Sequence, residues 1–438
     1  MPRSPRTTPA LNRREFLGSS AINAAGVAAG MAAGVVGWTG AASGSPSERV
    51  RVGVIGVRNQ GKLLATTLAQ ISDAQVVALC DIDESLLPAT GRAVESLQGQ
   101  APRLEGDFRR LLDDPQIDAV VVAAPDHWHA LMTILACQAG KDVYVEKPVS
   151  HSLEEGPAML AVAQETGRII QSGLQQRSGA HFQSAVEFVR SGQLGAVHLA
   201  KAWTVHQRKS IGSRPDCSPP PGVNYDLWLG PARERPFNPN RFHYNWHWFW
   251  EYGTGELGNW GVHLLDVARW GLNVGLPHQV AATGGKHYFQ DDQQTPDTLH
   301  VNYAYPGCTI TWEHRLWSGY GQEGRSAAVA FHGDRGTLIV DRGGWKVYGQ
   351  RDSHSAEPGE LLPPHLQNFI DCVKSRNQPT GDLATGVISS ALCHLGNAAY
   401  RIGRSLQVHP ETGMICRDPA AQALAVSDYR SPWTLPVA

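Results

Sequence analysis

The sequence lacks a strong excess of charge of either sign. Its 38 Lys and Arg residues nearly balance its 40 Asp and Glu residues, so the formal net charge at pH 7 is only -2. Binding to nucleic acid requires a basic surface opposite the phosphates. The charge balance therefore argues against nucleic acid as the main partner.

The sequence also lacks a C-x-x-C motif among its seven cysteines. Because the number of cysteines is odd, they cannot all pair in intramolecular disulfides. Neither a zinc ribbon nor a dithiol redox motif is predicted. The four histidines His127, His129, His243 and His247 raise the question of a metal site. No carboxylate or cysteine completes a convincing ligand set with them, so we expect no catalytic metal.

Long apolar runs are missing after residue 45, where no segment reaches the roughly 18 apolar residues of a membrane span. The uncharged stretch at 18–44 follows Asn12-Arg13-Arg14-Glu15-Phe16-Leu17, a twin-arginine pattern. We interpret residues 1–45 as an export signal and expect a periplasmic or otherwise exported protein with no membrane span after signal removal. The alternative is a membrane anchor, although the many Gly and Ala residues make this stretch weakly hydrophobic.

The 438 residues predict two or three domains. From 49 to 150, predicted strands at 51–56, 75–80, 118–124 and 141–145 alternate with helices at 62–71 and 130–139. This order is typical of a Rossmann domain with a parallel sheet, in which ligands bind beyond the carboxyl ends of the strands.

The first predicted strand and helix are joined by a glycine turn from Gly56 to Gly61. Asp81 ends the second strand, 25 residues after Gly56, and could accept both ribose hydroxyls of NAD while repelling the 2′-phosphate of NADP. Arg58 stands where the middle glycine of the pattern is expected. Its guanidinium can bind phosphate; the alternative is that its side chain prevents dinucleotide binding.

The glycine turn, the segment from Ala124-Pro125 to His129 and the turn Glu146-Lys147-Pro148 resemble the Gfo/Idh/MocA family from about residue 49 to the end of the chain. That family includes glucose-fructose oxidoreductase and inositol dehydrogenases. The resemblance implies a C-terminal domain with a mainly antiparallel open sheet, one face over the nicotinamide and the other free to pair in a homo-oligomer. We expect the cofactor NAD to contact Gly56, Arg58, Asn59, Gln60, Gly61, Asp81, Ala124, Pro125, His129, Glu146 and Gln175.

The region 151–400 is predicted as an α+β substrate and oligomerisation domain, and 401–438 as a tail packing back on the body. Strands are predicted at 197–205, 279–287, 298–305, 308–316 and 327–332, with turn signals between them. Helices are predicted at 153–166 and 180–191, and two more at 364–375 and 383–404 are expected to pack on the first domain.

The segment 241–250 combines aromatic rings with Asn, His and Arg side chains, which suits the apolar faces and hydroxyl edges of a sugar. From it we select Tyr244 and Trp246 as substrate contacts, with Arg177 as a weaker candidate for substrate or ribose. The alternative for any single ring is a place in the core or in a subunit interface.

A second segment contains Asn259, His263 and Asp266, which share one face if the segment is helical. His263 matches the catalytic histidine of the resembled family and suits removal of a hydroxyl proton, with Asp266 orienting it. The alternative is a structural histidine. Asn259 replaces an aspartate of inositol-dehydrogenase-like members; it can bind a hydroxyl but cannot share a proton, which puts inositol as the substrate in doubt.

Lys147 is the second candidate catalytic residue, because a lysine at a buried strand end beside nicotinamide could polarise the reacting hydroxyl or relay its proton. The alternative is a surface ion pair with Glu146. Together these residues predict an NAD-dependent enzyme that oxidises a secondary alcohol of a sugar, cyclitol or sugar derivative. Because no free cofactor pool is expected outside the cytoplasm, the cofactor would be retained and reoxidised in place. The alternatives are an oxidation-assisted glycosidase, lyase or epimerase without net redox change, and a non-catalytic exported sugar-binding protein.

Overall fold

The computed structural model describes residues 49–436, so the predicted export signal lies outside the described residues. Within the described range, no helix is both long enough and apolar enough to cross a membrane.

The first sheet contains six parallel strands. They are β1 (Val50–Ile55), β2 (Ala74–Cys80), β3 (Arg103–Glu105), β4 (Ala119–Val122), β5 (Asp142–Val145) and β6 (Ile170–Ser172). Their order across the sheet is β3-β2-β1-β4-β5-β6, and every neighbouring pair is parallel. The central strands β4 and β5 are buried at every position, as expected when both faces of a parallel sheet are covered. The sheet includes β6 and so extends past residue 150, where the sequence placed the end of the domain.

Five helices accompany this sheet: α1 (Gln60–Leu68), α2 (Leu87–Gln98), α3 (Arg109–Leu112), α4 (Asp126–Gln138) and α5 (Glu155–Thr166). Apolar side chains on its two faces form two separate clusters, one with α4 and α5 and one with α1. The strand-turn-helix order places the glycine turn and the residues after β4 and β5 at the same edge of the sheet.

The second sheet has nine strands. They are β7 (Val197–Val205), β8 (Gln279–Gly285), β9 (Thr298–Tyr305), β10 (Cys308–Arg315), β11 (Ala327–Gly333), β12 (Gly336–Asp341), β13 (Gly344–Tyr348), β14 (Ser355–Ala356) and β15 (Leu406–Gln407). The order is β14-β13-β12-β11-β7-β10-β9-β8-β15, and only the β7–β10 pair among these neighbours is parallel. The predicted fold class, a Rossmann sheet followed by a mainly antiparallel open sheet, is confirmed.

Six further helices complete the described chain: α6 (Ala180–Arg190), α7 (Tyr225–Leu229), α8 (Val262–Leu272), α9 (Leu362–Ser375), α10 (Leu383–Ile402) and α11 (Pro419–Ala423). One face of the second sheet packs with α6, α8 and α10 in the largest apolar cluster. Helix α9 instead packs on the Rossmann sheet through Leu366, Phe369 and Ile370. Near the C-terminus, Trp433 packs against Trp128 of α4, with ring centroids 5.0 Å apart.

A π-helical segment, Leu257–Gly261, runs directly into α8. π-Turns are rare and occur frequently at functional sites, because the wider turn changes the direction of side chains. This segment carries Asn259, and α8 carries His263.

Candidate active site

One cavity of ≈ 370 Å³ is lined by residues from both sheets' domains. Its walls include all the predicted cofactor residues except Gly61. Among the predicted catalytic and substrate residues, they also include Lys147, His263, Tyr244, Trp246 and Asn259. Arg177 and Asp266 do not line it.

Glycine is required at both ends of the turn that follows β1. Gly56 has a φ of +81°, and a Cβ there would lie 2.6 Å from the main-chain oxygen of Ala123. A Cβ on Gly61 would lie 1.7 Å from the main-chain oxygen of Gly56. The turn is thus closed tightly against β4, which leaves its outer side free for a ligand.

Asp81 braces this turn from the end of β2. Its Oδ2 accepts from the main-chain N–H of Val57 at 2.8 Å, and its Oδ1 accepts from that of Asp83 at 3.0 Å. Burial raises the pKa of Asp81, while these hydrogen bonds oppose the rise. Each carboxylate oxygen has a further lone pair, so Asp81 can still accept the ribose hydroxyls expected of it.

The side chain of Arg58 lines the cavity beside the glycine turn. Between residues 49 and 436 it has no hydrogen-bond or ion-pair partner, and Asn59 after it has a φ of 38°. An unpaired guanidinium beside the N-terminus of α1 is chemically suited to the pyrophosphate of a dinucleotide. The residues present therefore fit NAD.

Glu146 lies at the end of β5 and is only 5% exposed. Its Oε1 accepts from Nε2 of Gln60 at 3.0 Å, and its Oε2 accepts from the main-chain N–H of Lys147 at 3.2 Å. Burial raises its pKa, against the charge of Lys147 and these hydrogen bonds. The carboxylate joins the glycine turn to the strand end that carries Lys147, so the alternative of a surface ion pair between Glu146 and Lys147 is not the arrangement found.

His129 joins the two strand ends in a similar way. Its ring nitrogens lie 2.7 Å from the main-chain oxygen of Ala124 and 2.6 Å from that of Pro148. Both ring nitrogens are therefore directed at the protein itself. Gln175 differs, because its buried Oε1 has no hydrogen-bond partner within the described chain and borders the cavity.

Lys147 reaches from the Rossmann domain to the π-helical segment of the second domain. Its Nζ donates to the main-chain oxygen of Asn259 at 3.1 Å and lies 3.4 Å from Oδ1 of the same residue. These contacts fix the ammonium group in the cavity that His263 also lines.

His263 is buried, and its Nδ1 has no hydrogen-bond partner among the described residues. Burial, together with the charges of Lys147 and Arg342, lowers its pKa well below the usual range. The imidazole is consequently neutral near pH 7 and can accept a proton.

The expected contact between Asp266 and His263 is wrong. Asp266 accepts from Arg177 through Nε at 2.7 Å and Nη2 at 3.0 Å, and from Oγ of Ser389 at 2.7 Å. Nη2 of Arg269 also lies 3.3 Å from Oδ1 of Asp266, so two arginines bind this carboxylate. Helical spacing alone had predicted that it would contact the imidazole of His263. The Arg177–Asp266 pair is buried away from the cavity, so the structure does not bring either residue to the predicted substrate site.

Some rings of the aromatic segment 241–250 line the cavity and others lie in the core. Tyr244 and Trp246 line the cavity, and Trp246 stacks on His247 with ring centroids 3.6 Å apart. Phe242, Trp248 and Phe249 are buried in an apolar cluster instead, although Phe242 also borders the cavity.

Sequence reasoning missed the buried carboxylate of Glu256. It accepts from Nη2 of Arg208 at 2.9 Å on both oxygens, from His206 at 2.9 Å and from Nδ2 of Asn259 at 3.2 Å. Arg208 also donates to the hydroxyl oxygen of Tyr244 at 2.9 Å. The sequence could have pointed to Glu256, because it lies in the same short segment as Asn259 and His263. Nothing in the sequence pointed to its partners His206 and Arg208, which follow the end of β7.

No group of three or more His, Cys, Asp or Glu residues in the described range is arranged to hold a metal ion. All seven cysteines are free, and Cys80, Cys137, Cys372 and Cys393 are buried.

Two family models cover most of the described chain. Residues 50–174 match the Gfo/Idh/MocA "oxidoreductase family, NAD-binding Rossmann fold", and residues 202–435 match the "oxidoreductase family, C-terminal alpha/beta domain". The chain is 30% identical over 374 residues to inositol 2-dehydrogenase of Rubrobacter xylanophilus, covering 83% of this chain and 94% of the relative. It is 26% identical over 302 residues to a glycosyl hydrolase family 109 protein of Parabacteroides distasonis, covering 63% of this chain and 62% of the relative.

Other curated relatives are matched over about half of their length, for example 47% of myo-inositol 2-dehydrogenase of Thermotoga maritima, at 30% identity over 39% of this chain. Among solved structures, the aldose-aldose oxidoreductase of Caulobacter crescentus complexed with glycerol superposes with a TM-score of 0.64 at 19% identity, over 82% of this chain and 100% of that one. Levoglucosan dehydrogenase in complex with NADH and levoglucosan has a TM-score of 0.64 at 16% identity, over 82% of this chain and 99% of that one. These structures share the fold. The two family models and the similarity to inositol 2-dehydrogenase of Rubrobacter xylanophilus show that the chain belongs to the Gfo/Idh/MocA oxidoreductase family and carries its NAD-binding Rossmann domain.

Proposed function

We propose that this protein oxidises a secondary alcohol of a sugar, cyclitol or sugar derivative with NAD as cofactor. One observation carries the proposal: Lys147 and His263 line the same cavity as the glycine turn, Arg58 and Asp81. The similarity to an inositol 2-dehydrogenase over most of both chains supports the class of substrate.

The cofactor would be held by the glycine turn, with Arg58 at the pyrophosphate and Asp81 at the ribose. The Asp81 carboxylate favours NAD over NADP, because it would repel a 2′-phosphate. When bound, NAD+ supplies the acceptor for the hydride that leaves the alcohol carbon.

The chain's own residues deal with the proton. His263 is neutral, so it can take the proton of the reacting hydroxyl as general base. The ammonium group of Lys147, fixed by Asn259, would donate to the same oxygen and stabilise the negative charge that develops there. Tyr244 and Trp246 would supply apolar surface and a hydroxyl edge to the sugar ring.

Retention of the cofactor tests this function in an exported protein. The mature protein should be purified gently from the periplasm, and its nucleotide released by heat and identified. We expect nearly stoichiometric NAD(H). An empty protein that also fails to bind added NAD or NADP would contradict the proposal and favour a non-catalytic sugar-binding role.

Export through the twin-arginine pathway is part of the same proposal, because that route carries proteins already folded around their cofactor. Replacing both Arg13 and Arg14 with Lys should leave the protein in the cytoplasm, whereas Arg3→Lys should not. A homo-oligomer is also expected, and sedimentation of the purified protein would test it.

A second candidate function is cleavage or epimerisation assisted by transient oxidation. The similarity to a glycosyl hydrolase family 109 protein over 63% of this chain favours it. Transient oxidation at one carbon acidifies the neighbouring C–H, so elimination can occur before the hydride returns. This reaction would release product with no net change in the ratio of NADH to NAD, whereas simple oxidation would change that ratio.

A further inference from the structure

Arg342 lies in the turn between β12 and β13 and borders the cavity next to His263. Its guanidinium carbon is 4.7 Å from the centre of the Trp260 ring, and the rings of Trp260 and His263 are 6.5 Å apart. The stacking on Trp260 fixes the direction of the guanidinium while leaving its N–H groups free.

Arg342 differs from Arg177 and Arg208 because it has no carboxylate partner. Arg177 pairs with Asp266 at 2.7 Å, and Arg208 pairs with Glu256 at 2.9 Å. Across residues 49–436, Arg342 makes no hydrogen bond or ion pair. Partial desolvation lowers its pKa, and the negative charge of Glu146 opposes this. Arg342 is exposed, so its unpaired guanidinium is accessible to an anionic ligand that enters the cavity.

Two acids line the cavity, and the charge of one of them, Glu146, acts on Arg342. They are Asp81 and Glu146, both at strand ends of the Rossmann sheet and both already hydrogen-bonded by the chain. On the side formed by Asn259, Trp260 and His263, the lining residues that the structure describes include no carboxylate. The partner of Lys147 there is an amide. The substrate side is consequently cationic.

We propose that Arg342 binds a carboxylate of the substrate, so that the molecule oxidised is a sugar acid. This inference rests on the proposed function and narrows its substrate class. A carboxylate matches the planar fork of one guanidinium and carries one negative charge, which one arginine neutralises. A phosphate ester is less suited, because its second charge would have no counterpart beyond the ammonium group engaged at the reacting oxygen.

A carboxylate bound at Arg342 would also act on His263. The charge of Arg342 is one of the causes that lower the pKa of His263. A carboxylate bound beside Arg342 would offset that charge, so substrate binding would itself make the imidazole a better base. Neutral sugars would not produce this effect.

Binding and turnover together test the inference. Calorimetry should be performed on the NADH-loaded protein with D-glucuronate and D-gluconate, with the neutral compounds D-glucose and myo-inositol, and with D-glucose 6-phosphate. We expect at least one sugar acid to bind roughly 10- to 100-fold more tightly than the neutral compounds, the range of a charge-assisted hydrogen bond. Arg342→Gln should remove most of that difference and lower the ratio of kcat/KM for acid over neutral sugar.

Lys346→Gln is the matched control, because Lys346 is an exposed cation on the adjacent β13 and does not line the cavity. It should retain the preference for the acid. Equal binding of acids and neutral compounds, tighter binding of the phosphate ester, no binding of either acid, or a loss in Arg342→Gln that affects only NADH would each overturn the inference. If NADH does not bind the wild-type protein, the proposed function itself fails, which is a separate result.

Discussion

The ammonium group of Lys147 and the amide of Asn259 hold each other in place across the two domains, with Nζ 3.1 Å from the main-chain oxygen and 3.4 Å from Oδ1. The Nδ2 of the same amide donates to Oε2 of Glu256 at 3.2 Å. Only a side chain that both accepts and donates can satisfy these two neighbours. This requirement explains why an asparagine, and not an aspartate, stands at position 259 in this chain.

Asn259→Asp should therefore be destabilising despite its small change in size. It places a carboxylate against the buried carboxylate of Glu256 and removes a donor, which we expect to cost about 1–3 kcal/mol. Urea unfolding at neutral pH measures this loss, and Asn377→Asp at an exposed position is the control.

Adding Glu256→Gln to Asn259→Asp restores one donor and one acceptor at this contact. The double variant should lose less stability than the sum of the two single variants, which would show that the residues interact. A loss of unfolding free energy in the double variant equal to the sum of the losses in the two single variants would contradict the account.

Glu256 should give the protein a characteristic sensitivity to acid. Burial alone would raise its pKa, but the charge of Arg208 and the hydrogen bonds from His206 and Arg208 lower it to about 2, from an ordinary value of 4.5. A carboxyl with a lowered pKa stabilises the folded state above pH 4.5, and this contribution of about 3 kcal/mol is lost as the pH falls from 4.5 towards 2.

Glu256→Gln should consequently be less stable than the wild type at neutral pH, with the difference shrinking as the pH falls through that window. Urea unfolding as a function of pH measures both effects, and Glu95→Gln, an exposed position on α2, is the control. A difference that does not depend on pH would show that the carboxylate charge is not what stabilises this cluster.

Arg58 should contribute to cofactor affinity through its charge. Arg58→Ala is expected to weaken NADH binding roughly 10- to 100-fold, because one charge-assisted contact to phosphate is removed. Arg58→Gly, which restores the glycine-rich pattern, should also bind more weakly than the wild type and should show less dependence on salt.

Calorimetric titration with NADH at two salt concentrations measures both quantities. Arg92→Ala removes an exposed cation from α2, away from the cavity, and serves as the control. Tighter binding by Arg58→Gly would mean that the arginine obstructs the cofactor, which was the alternative left open by the sequence.

The parts of the fold that could be predicted were those written in local patterns. The buried strand from Ala119 to Val122 and the alternating strands at 197–205 and 298–305 have strong periodicity, and the structure places them as expected. The three-residue strands Arg103–Glu105 and Ile170–Ser172 have too few residues for any period to be recognised. The sequence analysis did not predict the hairpin that carries Arg342, because its strands Gly336–Asp341 and Gly344–Tyr348 are short and each begins with a glycine.

The candidate site shows a similar division. The glycine turn, Lys147 and His263 could be placed because each lies at a strand end or in a short motif. The role of Asp266 could not be predicted, since spacing on α8 puts it near His263 but says nothing of Arg177, which is 89 residues away in the sequence and takes its carboxylate. Arg342 was likewise invisible, because only tertiary packing brings it to Trp260.

Transfer of hydride within the loaded protein tests the central claim most directly. Wild-type protein saturated with NAD should be mixed rapidly with sugar acids, neutral sugars and cyclitols, and the near-ultraviolet absorbance of reduced nicotinamide followed over a single turnover. We predict reduction with at least one compound, slowed at least roughly 100-fold in Lys147→Met and in His263→Ala. Lys346→Met and His198→Ala, two substitutions outside the cavity, should react at the wild-type rate. Absence of reduction with every compound, or wild-type rates in both Lys147→Met and His263→Ala, would contradict the account.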